Sequence, residues 1–369
     1  MGATYVYRLA PLSAFHFGLR GVGIEQSEGH CPADTLFSAL CLTLRQLEPE
    51  GDQALSRWLA GFPPLNDGGP PPLRISSAFP YAGKVLFFPK PMVPANLPPE
   101  TRRSRAKQLK KVRVVSLGIL KAWLAQVDLN GELEDAQFLH GGKVWVTAAE
   151  LEKLGTFVDP RSGKIKIWST EPLPRVAVDR VTSRSSVYQA GVVRFRPGAG
   201  LYTLAQFPNG NAEKEQGRLG TLLQVLGDSG LGGERSSGYG HFRPEGPEPF
   251  EGWGDTQGDL FVTLAPYHPT KQEVEAGVLD EGAAYDLQTR RGWVSSPGGA
   301  NLRRRLVRML GEGSLLHHTG AGSYGDLADA TPRDKKTKEV LLPHNVWRYG
   351  IAFPVPATKP VIRKEDCHG

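Results

Sequence analysis

The first half of the chain alternates between strand-like runs and amphipathic helices. Apolar and polar residues alternate over residues 4–9 (TYVYRL), which is typical of a strand with one buried face. After Pro32 and Asp34, leucines three or four residues apart predict a helix with one apolar face, formed by Leu36, Leu40, Leu44 and Leu47. The same spacing predicts a helix over residues 214–226, with Leu219, Leu222, Leu223 and Leu226 on its buried face.

Further strand-like runs complete the pattern of the first half. They fall at residues 84–88, 143–147, 164–168, 201–207 and 239–243. The order strand, helix, several strands, helix, strand indicates an α+β fold of the ferredoxin-like type. We predict an N-terminal domain over residues 1–248, with a long insertion over about 82–142 and a glycine-rich loop at 230–240.

The second half begins after a segment rich in glycine, proline and glutamate (residues 244–259, PEGPEPFEGWGDTQGD), which is typical of a linker. A strand-like run follows at residues 260–265, and this fresh start suggests a second ferredoxin-like domain over 256–369. Residues 301–310 (NLRRRLVRML) predict a basic helix in which Leu302, Leu306 and Met309 share a face.

Composition narrows the class of protein. Apolar residues make up 40% of the chain and charged residues 22%, as in ordinary folded domains. No apolar run is long enough to span a bilayer, and the N-terminus lacks the pattern of a signal peptide, so we expect a cytoplasmic protein without a membrane partner. The cysteines, Cys31, Cys41 and Cys367, form no CxxC pair, and no set of ligands has zinc spacing. We expect neither a metal nor a cofactor.

Positive charge is concentrated in one segment. The net charge is only +6, but residues 101–113 (TRRSRAKQLKKVR) contain seven basic side chains and no acid. Such a block either forms a solvated loop or follows the backbone of a polyanion.

The loop of residues 230–243 (GLGGERSSGYGHFR) is the most distinctive short segment. A P-loop would end in Gly-Lys-Ser/Thr and open a helix, and a dinucleotide-binding loop would follow a strand. Here the glycines follow a helix and precede a strand. We predict that the N–H groups of the loop contact a phosphate chain and that Arg235 adds charge, although an ordinary linker has a similar composition.

Two other segments combine arginine, hydroxyl or glycine residues with aromatic rings. One contains His16 and Arg20, and the other spans residues 179–188. Arginine binds phosphate and stacks on bases, and tyrosine offers a stacking surface. A surface turn would look similar, but three such segments together favour RNA binding. The candidate RNA-binding residues are His16, Phe17, Arg20, Gly21, Arg180, Thr182, Arg184, Ser185, Tyr188, Gly233, Arg235, Ser236, Ser237, Gly238, Tyr239, Gly240, Lys110, Lys111 and Arg113.

Longer motifs resemble the RAMP superfamily of CRISPR proteins, and within it the subunit-four (Csm) family of type III-A effector complexes. They are FHFGLRGVGIEQSEGHCPADTLFSALC, PRVAVDRVTSRSSVYQAGVVRFRPGAGLYTLAQF, GLGGERSSGYGHF, RRGWV, GEGSLL and HNVWRYGIAFPV. The resemblance implies two ferredoxin-like (RRM-like) RAMP domains with a thumb-like insertion in the first, for which residues 82–142 are the candidate. Ala33 departs from the serine expected before Asp34, which weakens any hydroxyl contact there.

The resemblance also implies a function. The family caps the 5′ handle of the crRNA, contacts the large polymerase-like subunit and the adjacent backbone RAMP subunit, and lies near the guide–target duplex. We therefore expect a non-catalytic RNA-binding subunit, without catalytic residues, that acts in antiviral defence. The alternative is a metal-independent endoribonuclease that processes the crRNA precursor, with His16 as general acid or base. His16 lacks a defined catalytic partner in the sequence, which favours the first hypothesis.

Overall fold

The computed structural model describes residues 3–18, 29–66, 68–178, 185–253, 258–295 and 302–360, with the backbone alone at 175, 177, 178 and 185–190. The helices of the first half are α1 (Ala33–Leu47), α2 (Gly51–Leu59), α3 (Pro99–Ser104), α4 (Ala106–Lys111), α5 (Leu117–Leu124), α6 (Ala148–Lys153) and α7 (Ala212–Ser229). Its strands are β1 (Thr4–Pro11), β2 (Arg74–Ile75), β3 (Phe79–Ala82), β4 (Val85–Pro89), β5 (Val114–Ser116), β6 (Phe138–Leu139), β7 (Val144–Trp145), β8 (Trp168–Val178), β9 (Ser185–Phe195), β10 (Ala199–Gln206) and β11 (Phe242–Pro249). The second half contains helix α8 (Lys271–Glu275) and the strands β12 (Leu260–Thr263), β13 (Leu287–Arg290), β14 (Val307–Leu310), β15 (Leu315–His317), β16 (Leu327–Asp329), β17 (Trp347–Tyr349) and β18 (Pro354–Ala357).

One large mixed sheet organises the first half. Its strands lie in the order β11-β1-β10-β3-β4-β5-β7-β6, with β2 also paired to β10. Neighbours are antiparallel except β5 and β7, which are parallel. Leu9 of β1 lies opposite Leu201 of β10, and both side chains are fully buried. The predicted α+β class is confirmed.

The two helices predicted from leucine spacing are present. Leu36 and Leu40 of α1 are fully buried, whereas Leu47, at the end of the helix, is 44% exposed. Helix α7 extends beyond its predicted range and buries Leu219, Leu222, Leu223 and Leu226. It packs against α1 and β11, so its apolar face closes the core on the side of β1.

The predicted strands are confirmed in part. The runs at 84–88 and 201–207 form β4 and β10, and the run at 143–147 contracts to β7. Residues 164–167 do not form a strand, because Ile165 makes only an isolated bridge with Val158 and β8 begins at Trp168. The strand predicted over 239–243 begins only at Phe242.

The prediction of a linker over residues 244–259 is wrong for its first part, residues 244–249. Residues 244–249 continue β11, which pairs with β1 from Pro11 opposite Phe242 to Tyr5 opposite Pro249. Because β11 lies at the edge of the sheet, its prolines do not remove ladder hydrogen bonds that a central strand would need.

Strands β8 and β9 form a long two-stranded ribbon that sequence analysis missed. They pair with each other from Trp168 opposite Phe195 to Val178 opposite Ser185. Pro172 and Pro174 lie in β8, which is tolerated because β8 is an edge strand that pairs with β9 alone. Val176 is 60% exposed. The ribbon therefore extends from the large sheet as an arm.

The structure does not confirm a thumb-like insertion over residues 82–142. This segment supplies β4, β5 and β6 to the large sheet. Its helix α5 buries Ile119, Leu120, Trp123 and Leu124. The basic block forms the short helices α3 and α4, which bury no side chains. Most of the segment is thus part of the body of the fold.

The second half departs most from prediction. Val307–Leu310 forms β14, paired with β13, in place of the helix predicted over 301–310. Met309 is buried while Leu306 is exposed, because strand pairing decides which apolar residues face inward. Strands β15, β12 and β18 form a small sheet. Among the described residues of this half, α8 is the single helix, so a complete second ferredoxin-like domain is not confirmed.

A shared core joins the two halves. Phe37 of α1 packs against Tyr349 of β17, with ring centroids 4.8 Å apart. The backbone N–H of Ile75 donates to the Tyr349 hydroxyl at 3.0 Å, and the N–H of Ser77 donates to the Leu264 carbonyl at 2.9 Å. The halves therefore meet along a fixed, buried junction.

Candidate nucleic-acid interface

A cavity of about 480 Å³ opens where the two halves meet. The segment after β1, the start of α1, the glycine-rich loop and the β13 region each form part of its wall. The lining residues that carry polar or charged groups include His16, His30, Thr35, Ser38, Arg235, Asp286, Gln288, Arg290, Arg291, Ser295, Arg304, Glu312 and Arg348. The cavity thus collects residues that are far apart in the sequence.

Residues 14–17 connect two of the predicted RNA-binding segments. Phe15 exchanges backbone hydrogen bonds with Val193 of β9, at 2.9 and 2.7 Å. On the other side, Gly233 donates its N–H to the His16 carbonyl at 2.9 Å, and Gly240 donates to the Ala14 carbonyl at 2.8 Å. The base of the ribbon and the glycine-rich loop are therefore held on opposite sides of one segment.

His16 lines the cavity and is held by a hydrogen bond from one ring nitrogen. Its Nδ1 lies 2.6 Å from the Gly191 carbonyl oxygen, which can only accept, so Nδ1 carries the hydrogen and Nε2 is left as an acceptor. The side chain is 8% exposed. Phe17 also lines the cavity, but it is 6% exposed and stacks on Phe15 with centroids 5.4 Å apart. Most of the Phe17 ring is therefore buried against other protein atoms.

The glycine-rich loop uses much of its backbone to hold its own shape. Gly240 has φ +84°, and a Cβ there would lie 2.3 Å from the Leu231 carbonyl oxygen. Gly238 has φ +81° and donates its N–H to the Arg235 carbonyl at 3.0 Å. The N–H groups of Gly233, Gly238 and Gly240 donate to carbonyl oxygens of the protein. The prediction that the N–H groups of the loop contact phosphate is therefore wrong at these positions.

The tip of the loop is accessible. Arg235, Ser236 and Ser237 form one turn of 3-10 helix and are exposed, as is Gly238, and Tyr239 is half-buried. Arg235 lines the cavity. The loop therefore offers side chains, and Arg235 above all, rather than a cradle of N–H groups.

Asp34 organises a cluster of arginines that sequence analysis did not assign to a site. The carboxylate is fully buried and receives two hydrogen bonds from Arg290, at 2.7 and 3.1 Å, and a third from Arg348. Burial alone would raise the pKa of Asp34, but the two guanidinium groups hold it below its usual value. Arg304 lies beside them and donates to the Ser38 hydroxyl at 3.2 Å.

A second buried carboxylate supports the start of α1. Ser77 donates its hydroxyl to Glu312 at 2.6 Å and accepts the N–H of Ala33 at 2.9 Å. The Ser77 hydroxyl therefore accepts the first N–H of α1. Burial alone would raise the pKa of Glu312, but the nearby His30 ring and the hydrogen bond from Ser77 lower it.

A larger groove of about 1170 Å³ adjoins the cavity, because His30, Asp286, Gln288 and Glu312 line both. Its cations are Lys90, Arg102, Lys110, Arg113 and Lys143. Lys111 is exposed but does not line this groove. Burial and the nearby Arg113 lower the pKa of Lys90, whose ammonium donates to the Leu109 carbonyl at 2.7 Å. The basic block thus borders a path that leads to the cavity.

Several predicted residues lie outside the described part of the chain. They are Arg20, Gly21, Arg180, Thr182 and Arg184. Ser185 and Tyr188 belong to the first part of β9 (185–190), of which only the backbone is described. Gly191, at the base of the ribbon, is six positions after Ser185, which corresponds to about 20 Å of strand.

Comparison with known proteins decides the family. Residues 256–357 match the family model described as the CRISPR Csm4 C-terminal domain. The CRISPR system Cms protein Csm4 of Mycobacterium tuberculosis (strain CDC 1551 / Oshkosh) is 31% identical over 316 residues, which cover 85% of this chain and 88% of that protein. The chain belongs to the Csm4 family of CRISPR proteins. The resemblance seen in the sequence is thereby confirmed.

Other Csm4 proteins agree with this assignment. The protein of the same name from Thermococcus onnurineus (strain NA1) is 28% identical over 339 residues, 89% of this chain and 92% of that protein. The fold is similar to a chain in the crystal structure of the Csm3-Csm4 subcomplex in the type III-A CRISPR-Cas interference complex, with TM-score 0.66 and 18% identity, covering 95% of this chain and 99% of that one. A chain of the Csm1-Csm4 cassette in complex with cA3 has TM-score 0.53 and 20% identity, covering 97% and 99%.

Within the part of the chain that the structure describes, no helix is long and apolar enough to cross a membrane. The same residues contain no group of three or more histidine, cysteine, aspartate or glutamate side chains placed to hold a metal ion.

The residues that sequence analysis missed had a visible signal. Arg290, Arg291 and Arg348 lie in the motifs RRGWV and HNVWRYGIAFPV, which carry the family resemblance. The motifs drew attention to these arginines, but their positions in the sequence did not predict that they would lie close to Asp34.

Proposed function

We propose that this protein is a non-catalytic crRNA-binding subunit of a type III-A CRISPR Csm complex. In this role it caps the 5′ handle of the crRNA and bridges the large polymerase-like subunit to the adjacent backbone RAMP subunit. The observation that carries the proposal is the cavity between the halves, where Arg235 and the arginines around Asp34 face one space that adjoins the basic groove.

The shape and charge of this surface suit single-stranded RNA. Five arginines line the cavity and five cations line the groove, against the shared carboxylates of Asp286 and Glu312. A groove with surplus positive charge follows a nucleic-acid backbone and gains affinity from the release of counterions.

Similar solved structures support the protein partners that we propose. One similar structure pairs a Csm4 chain with Csm3, and another pairs a Csm4 chain with Csm1. We extend these pairings to the present chain: Csm1 is its large-subunit partner and Csm3 is its backbone partner.

The topology supports a ferredoxin-like first domain. Such a unit has two helices and four antiparallel strands in the spatial order 4-1-3-2. Strands β11, β1, β10 and β3 have this order, with α1 and α7 as the connecting helices. The ribbon of β8 and β9 is a better candidate for the thumb than residues 82–142, because it projects and pairs with no other strand.

A gel-shift titration of the full chain with its large-subunit partner tests the proposal. Labelled crRNA is compared with the same RNA carrying a scrambled 5′ handle, at one fixed salt concentration. We expect tighter binding of the native handle. Equal affinity for both RNAs would contradict handle capping and leave only general phosphate binding.

Substitution of Arg235 tests the site itself. Arg235→Ala should weaken binding and lower the slope of log affinity against log salt by about one, since one phosphate contact is lost. The control is Arg57→Ala, an exposed arginine on α2 that lines neither the cavity nor the groove. An equal effect of both substitutions would contradict a local role for Arg235.

One observation favours the second candidate function, a metal-independent endoribonuclease. His16 lines the cavity, and because its Nδ1 donates to the Gly191 carbonyl, Nε2 is the ring nitrogen that could serve as a general base. The variant His16→Asn keeps an amide N–H that can donate to Gly191 but cannot take up a proton near neutral pH. Cleavage by the wild type that the variant loses would support the nuclease, whereas RNA that stays intact with the wild type would remove it.

A further inference from the structure

The cavity at the junction contains more positive charge than the protein neutralises. Arg235, Arg290, Arg291, Arg304 and Arg348 line it, and the lining carboxylates are Asp286 and Glu312. Asp34 adds one negative charge, shared between Arg290 and Arg348. Glu312 is held by Ser77 and lies 3.8 Å from His30. A surplus of guanidinium groups therefore remains in a confined space and attracts an anion.

Two of these arginines keep hydrogen-bond donors without a partner. The Nε atoms of Arg304 and Arg348 are buried and have no acceptor within the described part of the chain. Arg348 is only 3% exposed, and an unsatisfied buried donor is costly. Burial, together with the charge of Arg348, lowers the pKa of Arg304 to about 10. A bound anion would offset the repulsion between these guanidinium groups.

We propose that Arg304 and Arg348, together with Arg290, form a binding site for one phosphate group of the bound RNA. This inference rests on the proposed function, because it names the part of the RNA that the cavity receives. The planar guanidinium group binds phosphate through N–H donors along its edge, which suits a cavity lined by three such groups. The adjoining groove, with Lys110 and Arg113 on its wall, favours a nucleic-acid chain because it can hold the flanking phosphates.

The site also links phosphate binding to the junction between the halves. Asp34 and Ser38 belong to α1, whereas the three arginines belong to the second half. A phosphate bound to the arginines therefore adds a contact to the interface that Asp34 holds together.

RNA with a single neutral linkage tests the inference. A series of handle RNAs carries one methylphosphonate at each position in turn, and affinity is measured for the full chain by fluorescence anisotropy. For the wild type, one linkage should stand out, with a loss of about tenfold or more. Arg304→Gln should lose a similar factor with unmodified RNA and become insensitive to that linkage. Arg304 is chosen because it does not bond to Asp34, so the buried ion pair stays intact.

The matched control is Arg303→Gln. Arg303 is the neighbouring exposed arginine, stacks on Trp293 at 4.6 Å and does not line the cavity. This variant has the same net charge as Arg304→Gln and should keep the sensitivity of the wild type. If no linkage stands out, or if both variants lose equal affinity, the phosphate site is overturned while handle binding can still stand.

A measurement without RNA separates the two proposals. The melting temperature of each variant is recorded with and without inorganic phosphate. Phosphate should raise the melting temperature of the wild type and of Arg303→Gln, and leave Arg304→Gln unchanged. The same shift in all three proteins would overturn the site. The expected pattern in a protein that does not prefer the native handle would support the anion site and contradict the proposed function.

Discussion

At the scale of single residues, one buried carboxylate holds the proposed site together. Asp34 binds Arg290 and Arg348, which lie 256 and 314 residues further along the chain. With its pKa held below the usual range, the carboxylate stays charged at neutral pH. It therefore fixes the guanidinium groups in one place and ties α1 to the second half.

Removing this charge should destabilise the protein strongly. Asp34→Asn leaves two buried guanidinium groups without their counterion, and breaking a buried ion pair in this way typically costs about 3–5 kcal/mol. Urea denaturation measures the change in the free energy of unfolding. The control is Asp52→Asn, which breaks the exposed pair with Arg45 and should have a much smaller effect. Equal effects of the two substitutions would contradict the role of Asp34.

His140 predicts a pH dependence of stability. Its ring stacks on Trp168 with centroids 4.2 Å apart, and its Nε2 accepts the N–H of Ile167 at 3.2 Å. Burial, Lys143 and Lys166 lower the pKa of His140 from 6.5 to about 4. Between these values the unfolded chain binds the proton and the folded protein does not, so the free energy of unfolding should fall by up to about 3 kcal/mol as the pH drops from 6.5 to 4.

The variant His140→Asn isolates this contribution. Asparagine does not titrate and tolerates the positive φ of 51° at this position. Urea denaturation at pH 7 and pH 4.5 should show a smaller loss of stability for the variant than for the wild type. Equal losses would show that His140 makes no contribution.

Residue types indicated which positions could take part in binding, but not which other residues they contact in the fold. Asp34 was predicted as the opening residue of a helix, and it is, yet its arginines are remote in sequence and no local pattern connects them. His16, predicted as an RNA contact, lines the cavity. Phe17 was predicted as an RNA contact because it is aromatic, but its ring is buried in the core.

At the scale of elements, the glycine-rich loop works as a shaped support for Arg235. Its glycines allow the chain to turn tightly beside residues 14–17, and the resulting hydrogen bonds hold the loop against the segment that carries His16. The position of Arg235 thus depends on the backbone conformation of its neighbours.

Two alanine substitutions separate backbone strain from a steric clash in this loop. Gly240→Ala adds a Cβ 2.3 Å from the Leu231 carbonyl oxygen at a residue with φ +84°, so it should cost more than about 2 kcal/mol. Gly238→Ala has a similar φ of +81° but meets no atom within 4 Å, so about 1 kcal/mol is expected. Urea denaturation compares the two, and equal costs would contradict the packing described for Gly240.

Elements with a strong local pattern could be predicted, and elements that depend on pairing could not. Helices α1 and α7 follow from their leucines. Residues 301–310 have helical spacing, but β13 takes residues 307–310 as its partner strand. The prolines of β8 and β11 resemble loop signals, and only the positions of these strands at free edges make the prolines acceptable.

At the scale of the whole molecule, the proposed RNA-binding surface exists only because the halves are packed together. One hydrophobic core includes Leu9 and Phe37 from the first half and Val262 and Tyr349 from the second. The cavity is lined from both sides of this junction. Neither half alone carries the arginines, Asp34 and the glycine-rich loop.

Photo-crosslinking tests this account most directly. Handle RNA with 4-thiouridine at single positions is irradiated with the full chain and its large-subunit partner, and the crosslinked peptides are identified by mass spectrometry. The account predicts crosslinks from the handle to both the glycine-rich loop (230–243) and the cavity segment of the second half (286–295). Crosslinks from the handle that fall only on residues 101–113, or only on the β8–β9 ribbon, would contradict the placement of the handle between the halves.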